Sequence, residues 1–339
     1  MRHFFPSCTQ QYWTKPYANP NNSSTQTIET LAIGAMAPIQ SIVDPGLQDF
    51  YDLTPPRRLG RGRHAIVVEC RSRNGQVYAM KLFKDDSRDR IAREIEILRY
   101  LRSGPNMIQI VDVVQGEEGA DIGIVLEYIE NIDYRTLYPR FTHSDIRYYT
   151  KELLKALEFA HDLGVMHRDV RPLNVVIDHR RRKLRLIGWS SAEFYQPGGE
   201  YDCCVGLNKP PEILLSHERY DCSVDMWCLG NMLASMIFKK DPFFHGHSLL
   251  DQLVKISKVL GTEKLYRLAE QLDIVIEQEE YEALGHREEK SWVSFVDSGN
   301  EHLATREGMD LVDRLLRFDP RERITAREAL QHCYCGRLT

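Results

Sequence analysis

The chain has 339 residues, of which 42% are hydrophobic and 27% charged, with a net charge of −5. That length supports two lobes or two domains with sizeable cores, in the composition of an ordinary soluble globular protein. The mildly acidic balance argues against nucleic acid as a partner, and no apolar run approaches the length that crosses a bilayer.

Residues 1–50 are rich in Asn, Ser, Thr, Gln and Pro without a sustained period, and read as a flexible tail with no signal-peptide apolar region. The folded part is expected from Tyr51. Leu59-Gly60-Arg61-Gly62-Arg63-His64-Ala65-Ile66-Val67 reads as a hairpin whose small residues let backbone amides come close to a ligand. Val77–Phe83 alternates as a strand carrying Lys81. Ile91, Ile95, Leu98 and Leu101 recur at helical spacing, with Glu94 on the flank of that face. Met107–Val114 and Gly123–Glu127 read as two more strands. Thr142 to Asp145 is patterned as a capping box. It opens a long helix with apolar positions at Ile146, Tyr149, Leu153, Leu157 and Ala160, ending near Gly164. After His167–Asn174 come two short strands, Val175–Ile177 and Lys183–Ile187. The basic run Arg180-Arg181-Arg182-Lys183 between them is expected to be a solvated turn. From Gly188 to Glu212 the chain has no Ser or Thr after Ser191, which leaves Tyr195 and Tyr201 as its hydroxyls for phosphorylation. Asp225 begins an apolar helix through Phe238, and Thr325 to Glu328 is patterned as a second capping box.

His167-Arg168-Asp169, with Asn174 five residues after the Asp, resembles the catalytic loop of protein kinases. The resemblance implies an α+β, bilobal protein-kinase fold with a small β-rich N-lobe and a large helical C-lobe. The expected divisions are a tail at 1–50, an N-lobe at 51–126, a hinge at 127–131 and a C-lobe at 132–335. It also implies roles. Asp169 would accept the proton of the attacking hydroxyl, and Asn174 would hold a metal ion. Lys81 would meet the nucleotide phosphates and pair with Glu94, and Arg171 would contact the transferring phosphoryl group. Leu59, Gly60, Gly62, Val67, Lys81, Glu127, Ile129 and Val176 would bind the nucleotide. Asp225 would anchor the catalytic-loop backbone, and Arg323 would pair with Glu212.

Further stretches are similar to the catalytic (alpha) subunit of casein kinase II. They include Ala234–Phe238, Pro242–His247, Val259–Thr262, Ile177–His179, Arg182–Ile187 and Leu59–Gly62. This resemblance implies a serine/threonine kinase that uses ATP or, alternatively, GTP. It also implies acidic protein substrates, a beta-type regulatory subunit, and a place in cytoplasm or nucleus, with neither nucleic acid nor membrane as partner. The eight cysteines, none in a C-x-x-C pair, fit reduced thiols inside a cell. Three departures stand out. Gly188-Trp189-Ser190 replaces the Asp-Trp-Gly whose Asp binds metal, so Mg or Mn is expected to bind weakly if at all. Arg171 stands for a lysine. The family's lysine run is largely neutralised in Asp85-Asp86-Ser87-Arg88-Asp89-Arg90. Two functions remain open: a kinase of reduced or metal-altered activity, or a pseudokinase scaffold that binds nucleotide or partners without transfer.

Overall fold

The computed structural model describes residues 51–52, 57–62, 64–83, 87–115, 122–202 and 208–336. The expected tail at 1–50 lies outside these, as do Arg63, Asp85, Asp86, Cys203 and Cys204.

The described part divides into a β-rich and a helical half, the α+β bilobal arrangement expected. The first half holds β1 (Tyr51–Asp52), β2 (Arg58–Arg61), β3 (Ala65–Ser72), β4 (Val77–Phe83), α1 (Arg88–Tyr100), β5 (Ile110–Gln115) and β6 (Ile122–Glu127). Its antiparallel sheet runs β1-β3-β4-β6-β5, with β2 pairing β3. Alternation sorts the faces. Val68, Cys70, Met80 and Val125 pack together on one. Lys81 lies opposite Val67 and Ile124 on the other, where α1 packs. Ile91, Ile95, Ile97 and Leu98 of α1 are buried. Each such side chain contributes about 1.5–3 kcal/mol, so the position of Glu94 is fixed by its neighbours' burial. β5 starts three residues later than Met107. Asn106 is at φ 59° and Met107 makes a single parallel bridge to Leu186, so the chain turns before the ladder begins.

The second half opens with α2 (Tyr134–Leu137) and α3 (His143–Asp162). The capping box at Thr142 is formed: Asp145 N donates to Thr142 Oγ1, and the Asp145 carboxylate accepts from Thr142 N. The stripe Ile146, Tyr149, Leu153, Leu157 and Ala160 is buried. Gly164, at φ 71°, ends the helix and turns the chain into β7 (Val165–Met166). Then come β8 (Val175–Asp178), β9 (Lys183–Leu186), β10 (Glu193–Phe194), α4 (Pro211–Leu214) and α5 (Ser223–Ile237). All 15 residues of α5 are buried, as its apolar composition requires. The remaining helices are α6 (Leu249–Leu260), α7 (Glu263–Gln271), α8 (Gln278–Leu284), α9 (Arg306–Leu315) and α10 (Ala326–Gln331), the last with the Thr325–Glu328 capping box in place. No helix among the described residues is long and apolar enough to cross a membrane.

The basic run forms the expected solvated turn between β8 and β9, with Arg180 and Arg181 exposed, and it is ion-paired. Arg181 pairs with Asp178 and Glu130, Arg182 with Asp145, and Lys183 with Glu127. Acids that surround the turn, three of them distant in sequence, neutralise it. Cys70, Cys222, Cys228, Cys333 and Cys335 are free thiols.

Candidate active site

The loop between β7 and β8 is built around one buried carboxylate. Asp225, at 0% exposure, accepts the backbone N–H of His167 and of Arg168, each at 2.8 Å, and lies 2.9 Å from His161 Nε2. Burial alone would raise its pKa. Its hydrogen bonds to His161 and to the His167 backbone outweigh that, and the carboxyl sits below its ordinary value. These contacts hold Arg168 at φ 62°, a left-handed conformation that costs a non-glycine residue about 1–3 kcal/mol. His167 is fixed in turn. Its Nδ1 accepts from Asp169 N at 3.2 Å, so the proton is on Nε2, which donates to Ile187 O at 2.9 Å. The Trp189 ring packs on it edge-on at 4.6 Å.

This framework presents Asp169. One of its oxygens, Oδ2, accepts from Asn174 Nδ2 at 2.7 Å and faces Arg171 Nε at 3.5 Å. Asn174 Nδ2 also donates to Asp169 O at 2.7 Å. Arg171 Nε is shielded from solvent and makes no hydrogen bond of its own. Gly188 follows β9 at φ 82°, ψ 39°. A Cβ built there would lie 2.4 Å from Asn174 Oδ1 and 2.5 Å from its Cγ. The Asn174 side chain therefore fills the space that any residue other than glycine would need.

Across the cleft, Lys81 Nζ donates to both oxygens of Glu94 at 2.5 and 2.7 Å, joining β4 to α1. In the β2–β3 hairpin Gly62 N donates to Ala65 O at 2.8 Å. A Cβ at Gly60 would meet Val67 only at 3.9 Å, and one at Gly62 would meet Ala65 O at 3.6 Å. Packing does not demand glycine at either place. Val67 is on the same sheet face as Lys81, Leu59 is exposed on β2, and Val176 is half-buried on β8 opposite Arg185. Ile129 packs against the main core. Glu127 is tied down: Lys183 Nζ donates to Oε2 at 2.7 Å and Arg185 Nε to Oε1 at 2.6 Å. Burial would raise its pKa, but these two cations hold it below the ordinary value.

The segment after Gly188 is anchored without a phosphate. Arg168 donates to Ser191 O at 2.5 Å and to Tyr220 Oη at 3.0 Å, and the Tyr220 hydroxyl in turn donates a hydrogen bond to Asp202 O at 2.6 Å. Arg93 of α1 donates to Glu193 at 2.5 Å. Further on, Arg323 grips Glu212 at 2.9 and 3.1 Å, both fully buried.

The metal implied by the resemblance does not fit these residues. A cation of that kind takes oxygen ligands and is usually held by one or two carboxylates. Position 188 supplies none, which leaves the Asp169 carboxylate and the neutral Oδ1 of Asn174, whose Nδ2 is bonded to Asp169. Among the described residues no group of three or more His, Cys, Asp or Glu could hold a metal ion. Sequence reasoning also missed the clamp on Glu127. Its signal was the i, i+2 spacing of Lys183 and Arg185, which puts both on one face of a strand.

A comparison with protein-family models agrees with this geometry: the model described as protein kinase domain matches residues 53–335.

Proposed function

As the chain belongs to the protein kinase family, whose members bind ATP and transfer phosphoryl groups, we propose that it is a slow serine/threonine kinase similar to the casein kinase II alpha subunit. The observation that carries this reading is the closed Lys81–Glu94 pair. It supports a nucleotide site set for phosphates, on a lobe whose catalytic Asp169 is framed by Asp225 and His167. The step is a single displacement. A substrate Ser or Thr Oγ bonds to the γ-phosphorus, the bond to the ADP oxygen breaks, and the hydroxyl proton goes to Asp169. Lys81 steadies the α- and β-phosphates. Arg171, beside Asp169, is placed to meet the transferred group. Without a ligand at position 188, charge neutralisation falls short by about 3–5 kcal/mol, which slows transfer roughly 10²–10⁴-fold.

The casein-kinase-like stretches, Pro242–His247 among them, support the further proposals of acidic protein substrates, a beta-type regulatory partner and an intracellular place. Co-purification from cells tests the partner. Activity is tested by transfer from labelled ATP to an acidic Ser peptide, beside Asp169→Asn. Transfer that vanishes in the variant supports a kinase. Equal signal in both removes it.

A second reading, a pseudokinase scaffold, is favoured by one observation: Asn174 fills the space beside Gly188. In that case nucleotide binds and the Asp169→Asn experiment shows no difference.

A further inference from the structure

The structure at Gly188 bears on which form of the nucleotide the cleft takes. We propose that this site binds a nucleoside triphosphate as the free anion, without a divalent cation, and that Arg171 supplies the positive charge next to the terminal phosphate. The inference rests on the nucleotide-binding reading above, and goes beyond it in naming the ligand's form.

Two independent observations carry it. The first is the closure of the cation position. Gly188 offers no side-chain oxygen, and Asn174 occupies its side-chain space, with Oδ1 2.4 Å from where a Cβ would stand. The same Asn174 spends its Nδ2 on Asp169 O and Oδ2. Those bonds use the amide nitrogen, so an incoming cation would find only the neutral Oδ1 of Asn174 and the carboxylate of Asp169, with nothing from position 188. Magnesium sheds water reluctantly and demands near-octahedral geometry, so two such ligands hold it poorly.

The second is the unmatched donor. Arg171 Nε lies 3.5 Å from Asp169 Oδ2 and is buried without a hydrogen bond. Buried polar groups normally have a partner. A guanidinium carries a delocalised charge and presents its donors as a fork that fits two phosphate oxygens at once. A phosphate oxygen brought next to Asp169 would complete it. Lys81 adds a second cation, already directed by Glu94. The free triphosphate anion carries more negative charge than its metal complex. It therefore gains more from Lys81 and Arg171, and does not need the ligand that position 188 lacks.

The test is calorimetric titration of the whole chain with ATP in EDTA, in magnesium and in manganese. The expected result is a Kd in EDTA within about threefold of that in magnesium, or tighter. A Kd in EDTA weaker than that overturns the inference and leaves the kinase reading standing. Absence of binding in every buffer overturns both. Arg171→Gln, with its melting temperature checked against the parent, is expected to weaken ATP binding in EDTA by about tenfold while leaving adenosine binding unchanged. Equal ATP affinity in parent and variant overturns the role given to Arg171.

Discussion

Replacing Gly188 by Ala probes the packing that closes the cation position. Two costs arise. The first is the left-handed backbone at φ 82°, which disfavours a side chain by about 1–2 kcal/mol. The second is the displacement of Asn174, whose Oδ1, Cγ and Nδ2 would lie 2.4, 2.5 and 2.9 Å from the new Cβ. Asn174 must rotate away and lose its bonds to Asp169 Oδ2 and O. Those are worth about 1.5–3 and 0.5–1.5 kcal/mol respectively, the first being to a charged acceptor. The sum is about 3–6 kcal/mol. At about 2 °C per kcal/mol for a chain of this size, the melting temperature drops by roughly 6–12 °C. In an Asn174→Ala background the three crowding atoms are absent, and only the backbone cost of about 1–2 kcal/mol is left. The double-mutant cycle, read by thermal melting, should return a coupling of about 2–4 kcal/mol. An equal drop in both backgrounds would refute the packing argument and, with it, the closure of the site.

Other outcomes follow from the same contacts. Lys81→Met should weaken nucleotide binding by about tenfold in a direct titration, and unchanged affinity would remove its phosphate role. Glu212→Ala leaves Arg323 buried beside carbonyls, and should cost about 3–5 kcal/mol in thermal or urea unfolding. A loss below about 1 kcal/mol, the range of an exposed pair, would contradict the burial. Asp225 gives a pH signature. Its folded pKa lies below its ordinary 3.8, so its contribution is whole above that value and is lost as the pH falls through the lower folded one. The stability gap between the parent and Asp225→Asn should be flat at neutral pH and narrow only in acid. A gap that narrows between pH 6 and about 5, above the ordinary carboxylate range, would exclude this carboxylate as the cause.

The features legible in the sequence were those carried by local spacing. Asp169 and Asn174 are fixed in one loop, both capping boxes lie within four residues, and α1 and α3 declare their buried faces by helical period. The fate of Asn174 was not legible. It depends on a missing side chain at Gly188, which the β8–β9 pair brings beside it, and on a backbone angle that only the folded chain defines. The partners of the basic run at Arg180 were not legible for a related reason. Its acids, Glu127, Glu130 and Asp145, are brought to the turn by other elements, and charge alone could not say they would be there. The late start of β5 turned on the left-handed Asn106, a conformation that asparagine tolerates but does not announce.

The clamp on Glu127 has a mechanical consequence. Lys183 and Arg185 belong to β9 of the lower lobe, while Glu127 ends β6 of the upper one. On the other side of β9, Leu186 N donates to Asn106 O at 2.8 Å. The upper lobe is thus riveted to one strand of the lower at two places, close to where a pivot for opening would be. A wide yawning of the lobes would have to strip both rivets. The β2–β3 flap is exposed at Leu59 and Arg61. Its amides should exchange with solvent sooner than those of β6.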